Sequence, residues 1–393
     1  MKKHCSKIIL FAVFPILLSC LIAADSEAAT IQTNRFHSYL KQGIDNAFNL
    51  ETASAIALLK KAVALEPNNP AGYAYLAMLH LFSYEMSYDL ETRKNDQEAI
   101  VRYVSETLSR GEKRLETNSK DSDAYLAMAL AKIAKVHWAI HEKRYLVMAQ
   151  ETSNIWNYLE KASGAEPNNF DIYFLMGLLH YHIDQLPGLT RFASSLLITS
   201  GDSKKGLREI ELAAQKGDLL KTIAQTELQS VYLIFEKQPA LALPVIRGLR
   251  EKFPNNYNFI FAQANAFAEL RRFGEAFALA KEIENNIETT KPPYVPQLQP
   301  RYNQLMGRIF FNQGEYDKAT QYFQKALKDT AFYNTRVRVW TLVRLGMIQD
   351  IRKDRARAEE YYLQALEIED GEGTAKVEAR KYLQTPYVPA KIN

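Results

Sequence analysis

His137 and His141 are the residues whose type and spacing come nearest to metal chemistry in this sequence of 393 residues. Two histidines four residues apart lie on one face of a helix, where both imidazoles can reach the same zinc ion. A zinc metalloprotease also needs a glutamate directly after the first histidine, but Trp138 stands there and Glu142 follows the second histidine. Since no third ligand is evident nearby, we interpret the pair as partly buried or surface histidines and keep a metal site only as the alternative.

The positions of the two cysteines exclude several other kinds of chemistry. Cys5 and Cys20 both lie in the first 28 residues, so the rest of the chain has no thiol for a nucleophile, a zinc–thiolate site or an iron–sulfur cluster. The sequence also has no glycine-rich phosphate loop, no nucleophile elbow and no H-E-x-x-H string. Glu359 and Glu360 have basic neighbours, which indicates a solvated helix face. We therefore predict a protein that is not an enzyme and holds no cofactor.

The N-terminal segment has the composition of a secretory leader, with three lysines ahead of an uncharged apolar run at 8–24. Two endings compete for residues 1–28. The string before Cys20 has the form of a bacterial lipobox, in which Cys20 is acylated, whereas 26–28 offers an ordinary cleavage site after Ala28. An uncleaved anchor is a third alternative, although the run is short for a membrane-spanning helix of about 20 residues. We expect the body in the periplasm, or on the periplasmic side of the outer membrane as a lipoprotein.

Small and large apolar residues recur with a helical spacing along the rest of the chain. Ala55, Leu59 and Ala62 lie on one helical stripe, and Pro67 follows five residues later to end the helix. The same spacing returns at Ala319, Phe323 and Ala326, at Ala358, Tyr362 and Ala365, and more loosely at Gly206, Ile210 and Ala213, at Ala242, Ile246 and Leu249, and at Ala276 and Ala280. These stripes predict one helix of a repeated hairpin.

The other helix of the hairpin has its own pattern of an aromatic, a large apolar, a small and another ring residue. It occurs as Tyr73, Leu76, Ala77 and His80, and again as Tyr173, Met176, Gly177 and His180. Together the two patterns resemble tetratricopeptide repeats over most of the chain, from about Arg35 to Leu366. The resemblance implies an all-α fold, an α-solenoid in which helix hairpins form a right-handed superhelix, and a protein that binds others rather than transforming them.

The repeat length divides the chain into parts. The helix-ending strings at Leu65, Leu115 and Ala165 are fifty residues apart, longer than the usual period, so we predict a divergent array with long repeats at 30–290. The proline-rich stretch 291–300 predicts an extended linker. A C-terminal pair of repeats with a capping helix, Thr374 to Leu383, is expected in 301–393.

The resemblance also predicts where partners bind, because the exposed side of each first helix lines a groove in this family. The register places on that side Tyr75, Phe174, Phe261, Asn265, Arg301, Arg308 and Trp340. Family members that bind acidic C-terminal peptides use a lysine–asparagine–arginine clamp there, and no lysine occupies the matching place in this sequence. The opposing interpretation is that half of these side chains pack against the next turn of the superhelix.

Charge and composition restrict the partners further. The formal net charge is +4, from 49 basic and 45 acidic residues without a long block of one sign, so we predict no nucleic acid partner. We expect a protein or peptide partner in the cell envelope, and contact with the membrane only through a lipid on Cys20. A carrier of a small ligand or metal is the alternative function. The stretch 184–200 is either a core segment or a docking surface.

Overall fold

The computed structural model describes residues 31–141, 144–184, 201–329, 335–368 and 373–389. These ranges contain 17 helices and no strand, and none of their helices is long and apolar enough to cross a membrane. The leader with Cys20 and its two cleavage sites lies outside the described residues, as does 185–200, nearly all of the stretch predicted as core or docking surface. The fold is an all-α solenoid, as predicted.

The helices pair into eight consecutive hairpins, closed by a last helix. The hairpins are α1 and α2, α3 and α4, and so on. Some first helices also pack against that of the next hairpin, as α3 does with α5, α11 with α13 and α13 with α15. The bounds are α1 31–48, α2 Thr52–Leu65, α3 Pro70–Met86, α4 Leu90–Thr117, α5 Ser122–His141, α6 Tyr145–Ala165, α7 Phe170–Asp184, α8 Ser203–Lys216, α9 Lys221–Ser230 with a π-helical turn Val231–Phe235, α10 Pro239–Lys252, α11 Tyr257–Glu269, α12 Phe273–Glu288, α13 Gln299–Gln313, α14 Tyr316–Leu327, α15 Thr335–Ile351, α16 Arg355–Glu367 and α17 Thr374–Gln384.

The predicted stripes of small and large residues form the hairpin cores. Ala319, Phe323 and Ala326 of α14 have no exposed surface, and the corresponding residues of α2 and α16 are at most 1% exposed. A Cβ atom added to Gly307 of α13 would lie 2.5 Å from the Phe323 ring. This distance is below van der Waals contact, so only glycine allows α13 and α14 to cross so closely.

The long repeats of the first half come mainly from longer helices. The first helices α3, α5 and α7 begin at Pro70, Ser122 and Phe170, at intervals of 52 and 48 residues, and α4 alone has 28 residues. In the second half α11, α13 and α15 begin 42 and 36 residues apart. The extra turns lengthen the interface within each hairpin.

Polar contacts recur at equivalent places in the long hairpins. The hydroxyls of Tyr73, Tyr125 and Tyr173 each donate to the carbonyl oxygen six residues earlier, at 3.1, 3.1 and 2.9 Å. Seven residues after each tyrosine, a basic side chain meets a carboxylate of the second helix. The pairs are His80 with Asp96 at 2.7 Å, Lys132 with Glu151 at 2.6 Å and His180 with Glu209 at 2.6 Å. All six side chains are at most 12% exposed, so the pairs lie inside the hairpins.

The proline-rich stretch is not extended throughout, which corrects the prediction for 291–300. Pro296–Leu298 forms a 3-10 turn, and α13 begins at Gln299 with Pro300 in its first turn. Proline fits there because the first helical turn needs no backbone N–H donor. Tyr294 and Leu298 are 8% and 0% exposed and belong to the same core as α11 and α13.

The start of the array also packs against hairpins far along the chain. The Lys252 ammonium group contacts Asp45 at 2.8 Å, and the Asn256 side-chain amide donates to the Phe48 carbonyl oxygen at 2.7 Å. Lys41 contacts Asp218 at 3.1 Å. The residues of these pairs are 177 to 208 positions apart, so α1 packs against the α8–α9 turn and the end of α10.

Candidate functional site

Three arginines and a tryptophan lie on the first helices of consecutive hairpins in the second half. They are Arg301 and Arg308 of α13, and Trp340 and Arg344 of α15, and we call this set the arginine face. Seven residues separate the two arginines of α13 and four separate the pair on α15, so each pair occupies one helical face. All four side chains are partly exposed.

Arg301 joins α13 to α11. Its guanidinium group lies 4.3 Å from the Phe261 ring centroid, within the range of a cation–π contact, and donates to the Asn258 side-chain oxygen at 2.6 Å. Burial lowers the pKa of Arg301, and the neighbouring phenols Tyr88 and Tyr257 oppose this shift. Because no carboxylate pairs with it among the described residues, Arg301 leaves a positive charge on this face.

Arg308 forms an ion pair with Glu269 of α11, with 2.8 Å between Nε and Oε1. The Asn312 side-chain amide donates to the same carboxylate oxygen at 3.1 Å. Burial alone would raise the pKa of Glu269, but the charges of Arg308 and Arg344 and the hydrogen bonds of Asn312 and Arg308 outweigh it and lower the pKa to about 2. The carboxylate therefore stays ionised and neutralises one of the arginines.

Arg344 is the arginine of the face without a hydrogen bond or ion pair among the described residues. Its guanidinium carbon lies 5.0 Å from the Phe311 ring centroid and 5.9 Å from that of Trp340. Burial, and after it the charge of Arg308, lowers the pKa of Arg344. A planar group with five N–H donors thus lies beside two aromatic rings, and none of the described residues accepts a hydrogen bond from it.

An unused acceptor lies on α11. The buried Oδ1 atom of Asn265 has no hydrogen-bond partner among the described residues. It lies on the same helix as Glu269, which joins α11 to Arg308. The site thus offers donors, an acceptor and aromatic surface, which suits noncovalent binding rather than bond chemistry.

The structure separates the seven predicted groove residues. Asn265, Arg301, Arg308 and Trp340 are partly exposed on α11, α13 and α15, which lie side by side. Phe174 and Phe261 are 3% and 1% exposed and belong to the hydrophobic cores, so they do not line an open groove, which corrects the prediction. Helical projection assigns a residue to one side of its helix, but it does not show whether other helices bury that side. Tyr75, 4% exposed, lines a separate cavity near α1.

The histidine pair is placed only in part. The His137 imidazole lies 2.9 Å from the Glu85 carboxylate at the end of α3. The side chain of His141 lies outside the described part of the structure. No group of three or more metal-ligating side chains occurs within the described ranges.

Two residues that matter here were missed in the sequence. Arg344 follows Trp340 by four positions, a helical spacing that could have added it to the face. Glu269 occupies the last turn of α11, and its pairing with Arg308 depends on how two hairpins meet. The sequence carries no local signal for that contact.

The model of the tetratricopeptide repeat family matches residues 302–369, which form the two hairpins α13 to α16. This part of the chain therefore consists of tetratricopeptide repeats. Two hairpins outside this range, α1–α2 and α7–α8, also cross closely at a glycine, at Gly43 and Gly177. The arginine face lies on the first helices of the two matched hairpins, α13 and α15. Tetratricopeptide repeats serve generally as non-catalytic modules for binding proteins.

Several solved structures are similar to the chain at low sequence identity. The human IFIT1 dimer with m7Gppp-AAAA is 14% identical, covers 89% of this chain and 87% of that chain, and has a TM-score of 0.45. A tetratricopeptide repeat protein from Parabacteroides merdae is 15% identical, with coverage of 83% and 99% and a TM-score of 0.33. The P58(IPK) TPR domain is 15% identical, with coverage of 89% and 97% and a TM-score of 0.25. No curated protein matches the chain.

Proposed function

We propose that this protein is a non-enzymatic scaffold of the bacterial cell envelope that holds a segment of a partner protein on its arginine face. The segment would carry a carboxylate beside an apolar side chain. The fold supports the general role, since tetratricopeptide repeats bind proteins. The particular role rests on the chemistry of the arginine face.

Arg344 is the observation that carries the proposal. Its guanidinium group has no hydrogen-bond acceptor among the described residues, and the rings of Phe311 and Trp340 hold it in place. A carboxylate is the protein group that matches a guanidinium in charge and in planar shape, and it can accept two N–H bonds at once. Because the aromatic contacts already restrict Arg344, binding would cost less side-chain entropy than at a freely moving arginine.

The neighbours of Arg344 define what else the segment needs. The ring of Trp340, 5.9 Å from the Arg344 guanidinium carbon, offers apolar surface to the segment. Glu269 neutralises Arg308, so Arg301 and Arg344 leave two positive charges on the face. The face therefore repels cationic segments. Positive charge and aromatic surface together favour an acidic, partly apolar segment.

The place of action rests on the leader. A lysine-rich start and an apolar run at 8–24 support export, and Cys20 supports a lipid anchor if cleavage occurs before it. Cell fractionation of the wild type and of the Cys20→Ala variant tests both points. Lipidation predicts a membrane-bound wild type and a soluble periplasmic variant. A wild-type protein found only in the cytoplasm would refute the envelope role.

Crosslinking from the arginine face tests the partner. A photoreactive amino acid at Gln304, between the two arginines of α13, should give one discrete adduct in intact cells. Adding Arg344→Gln should reduce that adduct about tenfold, because a charge-assisted hydrogen bond contributes about 1.5–3 kcal/mol. Arg357→Gln, at an exposed arginine of α16, is the matched control and should leave the adduct unchanged.

The same experiment can fail clearly. The proposal is wrong if the adduct persists at full yield in Arg344→Gln, or if a photoreactive group at the exposed Leu363 of α16 captures the same protein equally well. Nuclease treatment before purification separates a protein partner from one bridged by nucleic acid. Loss of the adduct after nuclease treatment would contradict a direct protein contact.

A further inference from the structure

We propose that a cavity in the first half of the solenoid binds the primary ammonium group of an organic cation. The cavity lies among α1, α3, α5, the start of α7 and the α8–α9 turn, and we call it the acidic cavity. It is distinct from the arginine face and does not depend on the proposed scaffold role. Its polar lining includes Glu66, Tyr75, Asp123, Asp171 and Asp218.

The acidic cavity has the size and shape for a small organic group. Its volume is about 390 Å³, which lies within the usual range of about 300–1,000 Å³ for small-molecule sites. Phe36 and Leu40 of α1 form one wall, and Leu126 and Leu130 of α5 form another. An alkyl chain could pack between these apolar walls while a polar head group reaches the carboxylates.

Three of the four carboxylates in the lining already have structural partners. Asp171 accepts the backbone N–H groups of Asp218 and Leu219 at 2.8 and 2.9 Å, and thereby fixes the turn between α8 and α9. Asp218 pairs with His37 and with Lys41 of α1. Glu66 also has a partner, since it accepts the side-chain amide of Asn69 at 2.8 Å. These contacts shape the cavity and leave the fourth carboxylate of the lining, Asp123, for a ligand.

Asp123 is the carboxylate of the lining that has no hydrogen-bond donor among the described residues. It is the second residue of α5. Asp123 is exposed at the mouth of the cavity, and partial desolvation, followed by the charge of Glu166, raises its pKa, with Arg114 acting in the opposite direction. A bound cation would offset both effects, because it stabilises the ionised carboxylate.

The hydroxyl of Tyr75 provides the second, independent sign of a ligand. Tyr75 is only 4% exposed and lines the cavity, yet its hydroxyl has no hydrogen-bond partner in the described part of the chain. Burial, and then the carboxylates Asp171, Asp218 and Asp123, raises its pKa, so the phenol stays protonated. The side chain is buried but lines the cavity, so its hydroxyl oxygen can accept a bond from an ammonium group bound there.

The geometry favours an ammonium group over a metal ion. An ammonium has three N–H donors, which Asp123, Tyr75 and the side-chain oxygen of Asn168 at the rim could accept. A metal ion would need several free carboxylates, but Asp171 and Asp218 are already engaged. Lys216 also borders the cavity, where its ammonium lies 5.2 Å from the Phe170 ring centroid rather than on a carboxylate.

Calorimetry with defined probes tests the inference on the whole protein. 1,5-Diaminopentane should bind, and pentan-1-ol, which lacks the ammonium, should not. Asp123→Asn and Tyr75→Phe should each weaken binding of the diamine about tenfold, since each removes a hydrogen bond to a charged group. Glu116→Gln, at an exposed carboxylate at the end of α4, is the control and should leave the affinity unchanged.

The ammonium could belong to a lysine side chain of a protein or to a free amine. Nα-acetyl-lysine amide, a blocked lysine that keeps the side-chain ammonium, distinguishes these two sources. Tighter binding of the blocked lysine than of the diamine would indicate a side chain of a protein, and the reverse would indicate a free amine. The inference is overturned if neither probe binds, if pentan-1-ol binds equally well, or if Asp123→Asn, shown by its melting curve to be folded, keeps full affinity. None of these outcomes bears on Arg344, so the scaffold proposal is tested separately.

Discussion

The two halves of the solenoid place opposite charges on their first helices. In the first half, α1, α3, α5 and α7 surround the acidic cavity, where no described residue donates a hydrogen bond to Asp123. In the second half, α13 and α15 carry the arginine face, where no described residue accepts a hydrogen bond from Arg344. The residues at the helix crossings are small or apolar in both halves. The repeat thus constrains the packing positions and leaves the charge of the exposed positions free to differ.

The halves also differ in how their hairpins are held together. The long hairpins enclose ion pairs such as Lys132 with Glu151, whose side chains are 10% and 9% exposed. The short hairpins instead place an aromatic ring against a glycine, as Tyr362 does at Gly346. Buried charge makes a hairpin sensitive to the loss of one partner, because the other stays desolvated. Close aromatic packing makes it sensitive to added volume.

The largest expected effect is the loss of a buried charge in the first half. Glu151→Gln leaves Lys132 buried without its carboxylate and should lower the free energy of unfolding by about 3–5 kcal/mol. Glu282→Gln breaks the pair with Arg250 in the second half, where Glu282 is 47% exposed, and should cost less than about 1 kcal/mol. Urea denaturation measures both. Equal losses would show that the two halves do not differ in this way.

Gly177→Leu should have the next largest effect. A Cβ atom at Gly177 of α7 would lie 2.9 Å from the carbonyl oxygen of Gly206 in α8, so a larger side chain must push the helices apart, at a cost of about 3 kcal/mol. Gly248→Leu on α10 is the control, since a Cβ there meets nothing within 4 Å. An unchanged thermal midpoint in Gly177→Leu would contradict the assigned crossing of α7 and α8.

Acid should destabilise the arginine face in a defined range of pH. The pKa of Glu269 is about 2 in the folded protein against 4.5 for an ordinary glutamate, so its contribution is complete above pH 4.5 and declines as the pH falls toward 2. We expect a contribution of about 2 kcal/mol, allowing for solvent screening. Comparing the unfolding free energy of the wild type and Glu269→Gln at pH 6 and pH 3 isolates it. The difference between the two proteins should shrink at pH 3.

The smallest effect concerns a contact that the long hairpins share. Tyr125→Phe removes the hydrogen bond to the Ser119 carbonyl oxygen and should cost about 1 kcal/mol. Tyr73→Phe and Tyr173→Phe should each cost a similar amount in chemical denaturation, because their hydroxyls make equivalent bonds. A much larger loss at one of the three would show that these hairpins are not equivalent.

The candidate sites were only partly predictable from the sequence. Arg301, Arg308 and Trp340 followed from the helical register, since that register states which side of a helix a residue occupies. Phe174 and Phe261 occupy that side too, yet the next hairpin covers them. One sequence pattern could have indicated the acidic cavity, since Asp123 and Asp171 each stand two residues before an equivalent tyrosine. Whether such charges form a binding site depends on the helices packed around them, which the local sequence pattern does not show.

The sequence by itself determined the helices, their pairing into hairpins and the glycines and alanines at the crossings. These features depend on residues within one repeat, where the spacing of side chains sets the contacts. Only the tertiary structure decided which polar groups of the described residues lack partners and how α1 packs against the end of α10. The contact of Asp45 with Lys252 joins residues 207 positions apart, and no local spacing encodes it, because it depends on the summed angles between five successive hairpins.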